Sequence, residues 1–479
     1  MSPLDSDFSD DRPEEACGVF GVYGPGQDVS RLTYFGLHAL QHRGQESAGI
    51  AVADGESTVV FKDMGLVPQV FDERKLASLQ GHIAVGHVRY STTGSTRWEN
   101  SQPIHKVYKN GTLALVHNGN LLNSRELRQE LMANGSRFRS TSDTEVIAGM
   151  IAKAVDDSIE TATAATMKRL LGAYAIIIMT ESQLLAIRDP YGVRPLSIGK
   201  LGASWVLASE TCALDIVGAT YERDVKPGEM IVIDERGLRS EQVVTPKKPS
   251  LCVFEFIYFA RPDSRINSQN LYVARKRMGM ELAKEEPIEA DLVIGLPDSG
   301  TPAAIGYAQE SGIPFGEGLI KNRYVGRTFI QPDETLRQLG VKLKLNPLSE
   351  VIEGKRLVVV DDSIVRGNTS RQIVNILKEA GATEVHLRIS SPPVTFPCFY
   401  GIDTDSEGQL IAAAKTVEEI GESLRADSLK YLSFEGLVRA TGCRREDFCL
   451  ACFDGEYPIP LSEEQELGKL VLESEIVKK

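Results

Sequence analysis

Two short apolar runs constrain this chain more than any other feature. Ala290 to Leu296 carries Leu292-Val293-Ile294, and Lys355 to Val360 carries Leu357-Val358-Val359-Val360, with no polar alternation in either. A strand without a polar face must be covered on both sides, as in a parallel sheet between layers of helix. The first run enters Pro297-Asp298-Ser299-Gly300-Thr301 and then an Ala-rich stretch; the second enters Asp361-Asp362-Ser363. Beyond it, Ser370 to Ala380 puts Ile373, Val374, Leu377 and Ala380 on one helical face, and Gly381 is placed to stop the helix. Val385 to Ile389 reads as the next strand. The second half is therefore predicted to be doubly wound α/β.

The first half follows another pattern. From Cys17 to about Arg236, short β segments recur between Gly, Asp and Asn turns, among them Cys17 to Tyr23, Ala48 to Ala53, Thr58 to Lys62, Ile83 to Tyr90, Thr112 to His117, Tyr174 to Met179 and Met230 to Ile233. Helices are predicted over Ser124 to Ala133 and Asp143 to Val155, with Asp143 as N-cap. This is a mixed α+β arrangement. The hydrophilic Ser240 to Ser250 reads as the linker. The 479 residues divide into an arm (1–16), a first domain (17–250), a second domain (251–462) and a charged tail (463–479).

Composition narrows the partners. With 53 Lys and Arg against 66 Asp and Glu, the net charge of −13 disfavours nonspecific binding to nucleic acid or anionic membranes. No apolar run approaches the roughly 18 residues that a membrane span needs. The arm holds six acidic residues and Arg12, unlike a secretory signal. A cytoplasmic location is expected, so the seven cysteines read as buried, metal-bound or catalytic rather than paired.

Cys17 is the first of the chemically loaded residues. It follows the acidic arm and precedes Gly18-Val19-Phe20-Gly21. Cleavage after Ala16 would give Cys17 a free α-amine, with a reference pKa about 0.7 unit below that of a thiol, so one residue could supply nucleophile and base. His87-Val88-Arg89-Tyr90-Ser91-Thr92 offers a guanidinium for a carboxylate. His117-Asn118-Gly119-Asn120, read as a strand end, offers an amide and a backbone N–H for an oxyanion. Ser142-Asp143-Thr144-Glu145 offers a carboxylate for an ammonium. Individually, such segments are usually surface residues, hairpin turns or caps; their ordered combination is specific.

Together with Gln41-His42-Arg43-Gly44-Gln45-Glu46-Ser47-Ala48-Gly49, these segments resemble the glutaminase half of class II, N-terminal-nucleophile amidotransferases. The resemblance implies an αββα sandwich and a propeptide (1–16) that is removed. It makes Cys17 the nucleophile with its α-amine as base, and Asn118 and Gly119 the oxyanion holders. Arg89 would take the glutamine carboxylate and Asp143 the amino group.

In the second half, Val358 to Ser370 delivers Asp361 and Asp362 from a strand, then Arg366-Gly367-Asn368-Thr369-Ser370 into a helix start. Such a loop suits a phosphate, and paired acids suit a ribose diol and a Mg²⁺-bound polyphosphate. The segment resembles the phosphoribosyl pyrophosphate (PRPP) motif of type I phosphoribosyltransferases. That likeness makes Asp298, Ser299 and Gly300 the pyrophosphate loop, and Lys321 to Pro332, with Lys321, Arg323 and Arg327, a closing loop. It implies that Asp361 and Asp362 help hold Mg²⁺ and the ribose, with Ser299 a further metal ligand.

The order of the two halves resembles the enzymes that begin purine synthesis. These hydrolyse glutamine and pass ammonia internally to displace pyrophosphate from PRPP, giving 5-phosphoribosylamine. The likeness implies purine-nucleotide feedback and a homo-oligomer, a tetramer or a dimer.

Cys449-Leu450-Ala451-Cys452, with Cys252 and Cys398 upstream, suits zinc or an iron–sulfur cluster. Members of the family with an acidic propeptide carry a [4Fe–4S] cluster, which implies Cys252, Cys398, Cys449 and Cys452 as its ligands. Cys443, six residues before Cys449, is an alternative to it, and Cys212 reads as core. A PRPP-sensing regulator would have no use for Cys17, Arg89 and Asn118-Gly119, and the Asp361 to Ser370 loop argues against other class II amidotransferases.

Overall fold

The computed structural model describes residues 17–91, 94–156, 158–322, 345–402, 404, 408, 410–461 and 472–473. The proposed propeptide, Arg323 and Arg327 lie outside these residues.

The first domain contributes thirteen strands: β1 (Gly18–Tyr23), β2 (Ser47–Ala53), β3 (Thr58–Met64), β4 (Ile83–Arg89), β5 (Ile104–Tyr108), β6 (Gly111–Leu121), β7 (Gly172–Met179), β8 (Leu184–Arg188), β9 (Ser197–Leu201), β10 (Ser204–Ala208), β11 (Thr220–Asp224), β12 (Glu229–Asp234) and β13 (Gly237–Gln242). They form two antiparallel sheets, ordered β11-β9-β10-β1-β4-β2-β3 and β13-β12-β8-β7-β6-β5. Alternation along β1 shows how the layers pack. Phe20 and Val22 join Val29 and Leu37 of the helix Val29–Ala39, whereas Val19 joins Val116 and Ile177 of the facing sheet. The helices Ser124–Ala133, Asp143–Ala154 and Ile159–Met167 cover the outer face of the second sheet. The domain is therefore an αββα sandwich.

The second domain is built on four parallel strands ordered Leu292–Gly295, Arg356–Asp361, Glu384–Ile389 and Ser428–Tyr431. Apolar residues fill both faces of this sheet, as the uninterrupted runs require. One of those cores also contains Leu122, Ala173 and Val193 of the first domain, so the two domains share buried apolar surface. The linker is pinned to the first domain: Lys247, Ser250 and Cys252 donate backbone N–H groups to the carbonyls of Pro190, Tyr191 and Val193.

Two local expectations are corrected. β6 does not stop at His117; it runs through Asn118, Gly119 and Asn120 to Leu121, paired with β7. Gly119 makes this possible, at φ +146° with an added Cβ falling 2.0 Å from the Ala173 carbonyl oxygen. The N-cap of the helix Asp143–Ala154 is Ser142, whose hydroxyl accepts from the Thr144 N–H. The short Ser side chain satisfies the helix start and leaves the Asp143 carboxylate to face β6.

Candidate active sites and a cysteine-lined cavity

Cys17 lies just before β1, 5% exposed and alongside the end of β4. Its thiol donates to the Tyr90 carbonyl (3.2 Å), and Sγ accepts from the Tyr90 N–H (3.4 Å). Arg43 Nε donates to the Cys17 carbonyl (3.1 Å). Burial pushes the Cys17 thiol up to about 12; Arg89 opposes the rise, and Glu46 and Asp143 add to it. With residue 16 still attached, the thiol is a poor nucleophile, because almost none of it is ionised near neutral pH.

The other glutaminase residues converge on it. Arg89 is buried, and its guanidinium donates to the carbonyls of Ser95 (3.3 Å) and Gly94 (3.2 Å). Glu46 lies 3.5 Å from Arg89 and also accepts from Thr96 (3.1 Å). Asp143 accepts from the Leu121 N–H (3.1 Å) and lies 3.7 Å from His117. Burial raises its carboxyl, but His117 and neighbouring N–H groups outweigh this and hold it below its usual range. It is a buried carboxylate, suited to an ammonium. Asn118 is 1% exposed, and both Oδ1 and Nδ2 lack a hydrogen-bond partner. An unpaired buried amide is costly, and a transient oxyanion would satisfy its N–H₂. Burial drives His87 down to about 3, so it stays neutral and is no base at physiological pH.

The sequence reading did not assign several residues around this site. Glu473, in the tail, accepts from the Ser95 N–H (2.8 Å) and the Thr141 hydroxyl (2.7 Å), beside Arg89's carbonyl partners. Arg43, Arg194, Glu210 and Glu255 form a fully buried ion network spanning both domains: Arg43–Glu210 2.6 Å, Arg43–Glu255 2.7 Å and Arg194–Glu255 3.5 Å. Arg43 and Glu46 lay within the Gln41 to Gly49 motif, the one signal available; Glu210, Glu255 and Glu473 had none.

In the second domain, Leu292–Gly295 and Arg356–Asp361 are adjacent and parallel, with Gly295 opposite Val360. Their carboxyl ends deliver the two sequence-predicted loops together, the usual ligand position in such sheets. Gly300 packs where a Cβ would lie 2.4 Å from the Val360 carbonyl oxygen. Asp361 accepts from the Asp362 N–H (2.9 Å), and Asp362 Oδ1 accepts from Ser363 (2.6 Å). Asp362 Oδ2 and Ser299 Oγ are buried without hydrogen-bond partners, as fits donors reserved for a cation. Gly367 (φ +84°) turns the chain into the helix Asn368–Glu379, whose start carries Asn368, Thr369 and Ser370, with Arg366 just before it. Lys321 pairs with Asp298 at 2.8 Å and so joins the start of the predicted closing loop to the pyrophosphate loop.

Cys252, Cys398, Cys449 and Cys452 line one cavity with Arg194 and Tyr400. Cys252 and Cys449 are register partners in a short parallel bridge, and Cys398 Sγ accepts from the Tyr400 N–H (3.4 Å). Burial pushes the Cys252 thiol up to about 12; burial and the neighbouring cysteines push Cys449 and Cys452 well above the usual range. Buried thiols such as Cys252, Cys449 and Cys452 ionise only with a cationic centre beside them. Among the described residues no three His, Cys, Asp or Glu side chains are arranged to hold a single metal ion. Cys443 lines a different cleft, with Arg188 and Arg444, and Cys212 is buried beside Glu210.

Comparison with known proteins matches both domains. Residues 87–215 match the glutamine amidotransferase domain family and residues 267–390 the phosphoribosyl transferase domain family. The chain is 56% identical to an amidophosphoribosyltransferase of Mycobacterium tuberculosis, over 96% of this chain and 90% of the relative. It is 57% identical to one of Synechocystis sp., over 97% and 95%. The solved glutamine PRPP amidotransferase of B. subtilis, complexed with ADP and GMP, superposes with a TM-score of 0.89 at 51% identity, over 94% of this chain and 99% of that one. Among the described residues no helix is long and apolar enough to cross a membrane. At this identity, over nearly its whole length, the chain belongs to the amidophosphoribosyltransferase family.

Proposed function

We propose that the chain carries out the first committed step of de novo purine synthesis, making 5-phosphoribosylamine from PRPP and glutamine. The observation that carries this reading is the unpaired Asn118 amide of the glutaminase-like domain, in one chain with the Ser299 and Asp361-Asp362 strand ends of the phosphoribosyltransferase-like domain.

Arg89 and Asp143 hold the carboxylate and ammonium of glutamine, and Cys17 Sγ attacks the amide carbon. The proton passes from the thiol to the α-amine freed by loss of residues 1–16. By reference values, an amine near 7.8 and a thiol near 8.5, this transfer costs about 1 kcal/mol; burial of the thiol adds to it, and the charge pair it forms offsets part of the cost. Asn118 Nδ2 and the Gly119 N–H stabilise the oxyanion. The C–N bond breaks as the α-ammonium gives that proton to the departing nitrogen, ammonia leaves, and water hydrolyses the thioester to glutamate. Ammonia then crosses within the protein and forms the C1–N bond of the sugar as the C1–O bond to pyrophosphate breaks.

Arg366 to Ser370 cradle the phosphate, and Asp298, Ser299 and Gly300 the pyrophosphate. Ser299, Asp361 and Asp362 would hold Mg²⁺, which when bound neutralises charge on the leaving pyrophosphate. Cys252, Cys398, Cys449 and Cys452 would hold a [4Fe–4S] cluster; the reaction is redox-neutral and needs no redox centre, so the cluster would be structural or oxygen-sensing. The reading extends to a cytoplasmic homotetramer restrained by purine nucleotides, in line with the ADP and GMP in the B. subtilis complex.

The test is a stoichiometry. Purified protein with Mg²⁺, PRPP and glutamine should release glutamate and pyrophosphate one to one. Glutamate release without pyrophosphate, or neither product, would refute the proposal.

A further inference from the structure

Gly119 of the oxyanion strand touches a segment from the other domain. Phe399, Tyr400 and Gly401 follow Cys398, and all three reach into the first domain. Asn120 Nδ2 donates to the Phe399 carbonyl at 2.9 Å. The Tyr400 carbonyl accepts from Arg194 Nη2 (2.9 Å) and Nε (3.3 Å). Gly401, at φ +107°, lies so close that an added Cβ would be 3.2 Å from the Gly119 carbonyl carbon and 3.0 Å from Arg194 Nη2. On another side, Gly119 is hemmed in by the Ala173 carbonyl. The backbone at Gly119 is thus bounded by β7 and by a loop of the second domain 282 residues further along the chain.

The loop is itself anchored. The Tyr400 hydroxyl donates to the Ile459 carbonyl (2.7 Å) and accepts the Ile459 N–H (3.1 Å), while the Tyr400 N–H meets Cys398 Sγ (3.4 Å). Arg194, which faces the loop, is fully buried and paired with Glu255. Hydrogen bonds to neighbouring carbonyls, a buried cation and a side-chain-free contact together fix where the chain passes through Gly119.

We propose that Phe399 to Gly401 is a brace that positions the oxyanion strand, with Asn120 and Gly401 as positioning residues for glutamine hydrolysis. The inference rests on the proposed roles of Asn118 and Gly119. The brace fixes the chain direction through Gly119, and with it the aim of the Asn118 amide and the Gly119 N–H. A donor is effective only where the developing charge will sit, so a small displacement weakens the transition state more than substrate binding. Asn120 and Gly401 need not touch glutamine for this.

The experiment uses the full-length protein as purified, with Asn120→Ala and Gly401→Ala, one approaching the contact from each domain. Glutamine-dependent kcat should fall about ten- to a hundredfold, the scale of a misplaced catalytic group. Inhibition by glutamate and ammonia-dependent synthesis should stay within about twofold of the unsubstituted chain. Alkylation of Cys17 by a diazoketone analogue of glutamine, whose ketone oxygen takes the oxyanion position, should slow in parallel with kcat. If Gly401→Ala does not fold, Asn120→Ala alone decides. An Asn120→Ala kcat within twofold of the unsubstituted chain would overturn the brace, as would equal weakening of glutamate binding and kcat. If the unsubstituted chain itself has no glutamine-dependent turnover, the underlying functional reading fails, and the brace with it.

Discussion

At the residue scale, several side chains around the proposed glutamine site carry costs that the proposed reaction would relieve. Asn118 is the clearest, a buried amide with neither end satisfied. Asn118→Ala should lower glutamine-dependent kcat by about 10²–10³ and leave ammonia-dependent synthesis intact, measured as pyrophosphate release with each nitrogen donor. Cys17 makes the complementary demand. Its thiol near 12 needs a base within the site, and the neutral His87 does not supply one. The intact mass of active protein should therefore lack residues 1–16; activity in a chain that retains them would contradict self-activation by the α-amine. Arg43 illustrates structural cost. Removing it by Arg43→Met leaves Glu210 and Glu255 buried with less compensation, which should destabilise the fold by about 3–5 kcal/mol in denaturant melts. The same network sets an acid limit. Burial raises Glu210, but His42 and Arg43 outweigh it and hold its carboxyl well below the usual range. A depressed carboxylate stabilises the fold above its unfolded pKa and loses that contribution as pH falls through the folded value. Stability should therefore decline below about pH 4, and less steeply in Glu210→Gln relative to its own neutral-pH value.

At the element scale, the parts legible in sequence were those whose physics is local. The apolar runs at 292–296 and 357–360 required two-sided burial, and the structure covers both faces. The Asp361 to Ser370 loop was legible because strand, acids, Gly367 and helix start are contiguous. Less local features were hidden. Nothing in His117-Asn118-Gly119-Asn120 indicates that the strand continues through it, because its partner is Tyr174 and Ala173 in β7. Asp143 was the expected N-cap, but Ser142 caps the helix and Asp143 turns to Leu121 and His117, contacts that only the folded chain reveals. Sequence named Cys449 with Cys443 as an alternative to it; the bridge between Leu251–Cys252 and Phe448–Cys449 places Cys449 beside Cys252, whereas Cys443 lines another cleft. Cys443→Ser should accordingly retain full iron and sulfide in anaerobic preparations, whereas Cys449→Ser should lose them. The reverse pattern, or zinc in place of iron, would contradict the proposed ligand set.

At the scale of the whole molecule, two sites lie in two domains joined by apolar surface and by a buried network of two arginines and two glutamates. None of that union was readable from the linker, whose hydrophilic composition suggests a tether. In the structure its backbone N–H groups donate to the carbonyls of Pro190 and Tyr191, so the linker lies along the first domain rather than hanging free. The tail is a second case: its charge gave no hint that Leu472 would be fully buried or that Glu473 would reach Ser95 and Thr141. The central claim is that one chain divides the reaction between a site that releases ammonia and a site that uses it. Cys17→Ala tests this most directly, with 5-phosphoribosylamine formation measured from glutamine and from ammonia in the same preparation. The account predicts that glutamine-dependent synthesis disappears while ammonia-dependent synthesis remains within about twofold of the unsubstituted protein, since the substitution touches only the first site. Equal loss of both activities, or survival of the glutamine-dependent one, would contradict it.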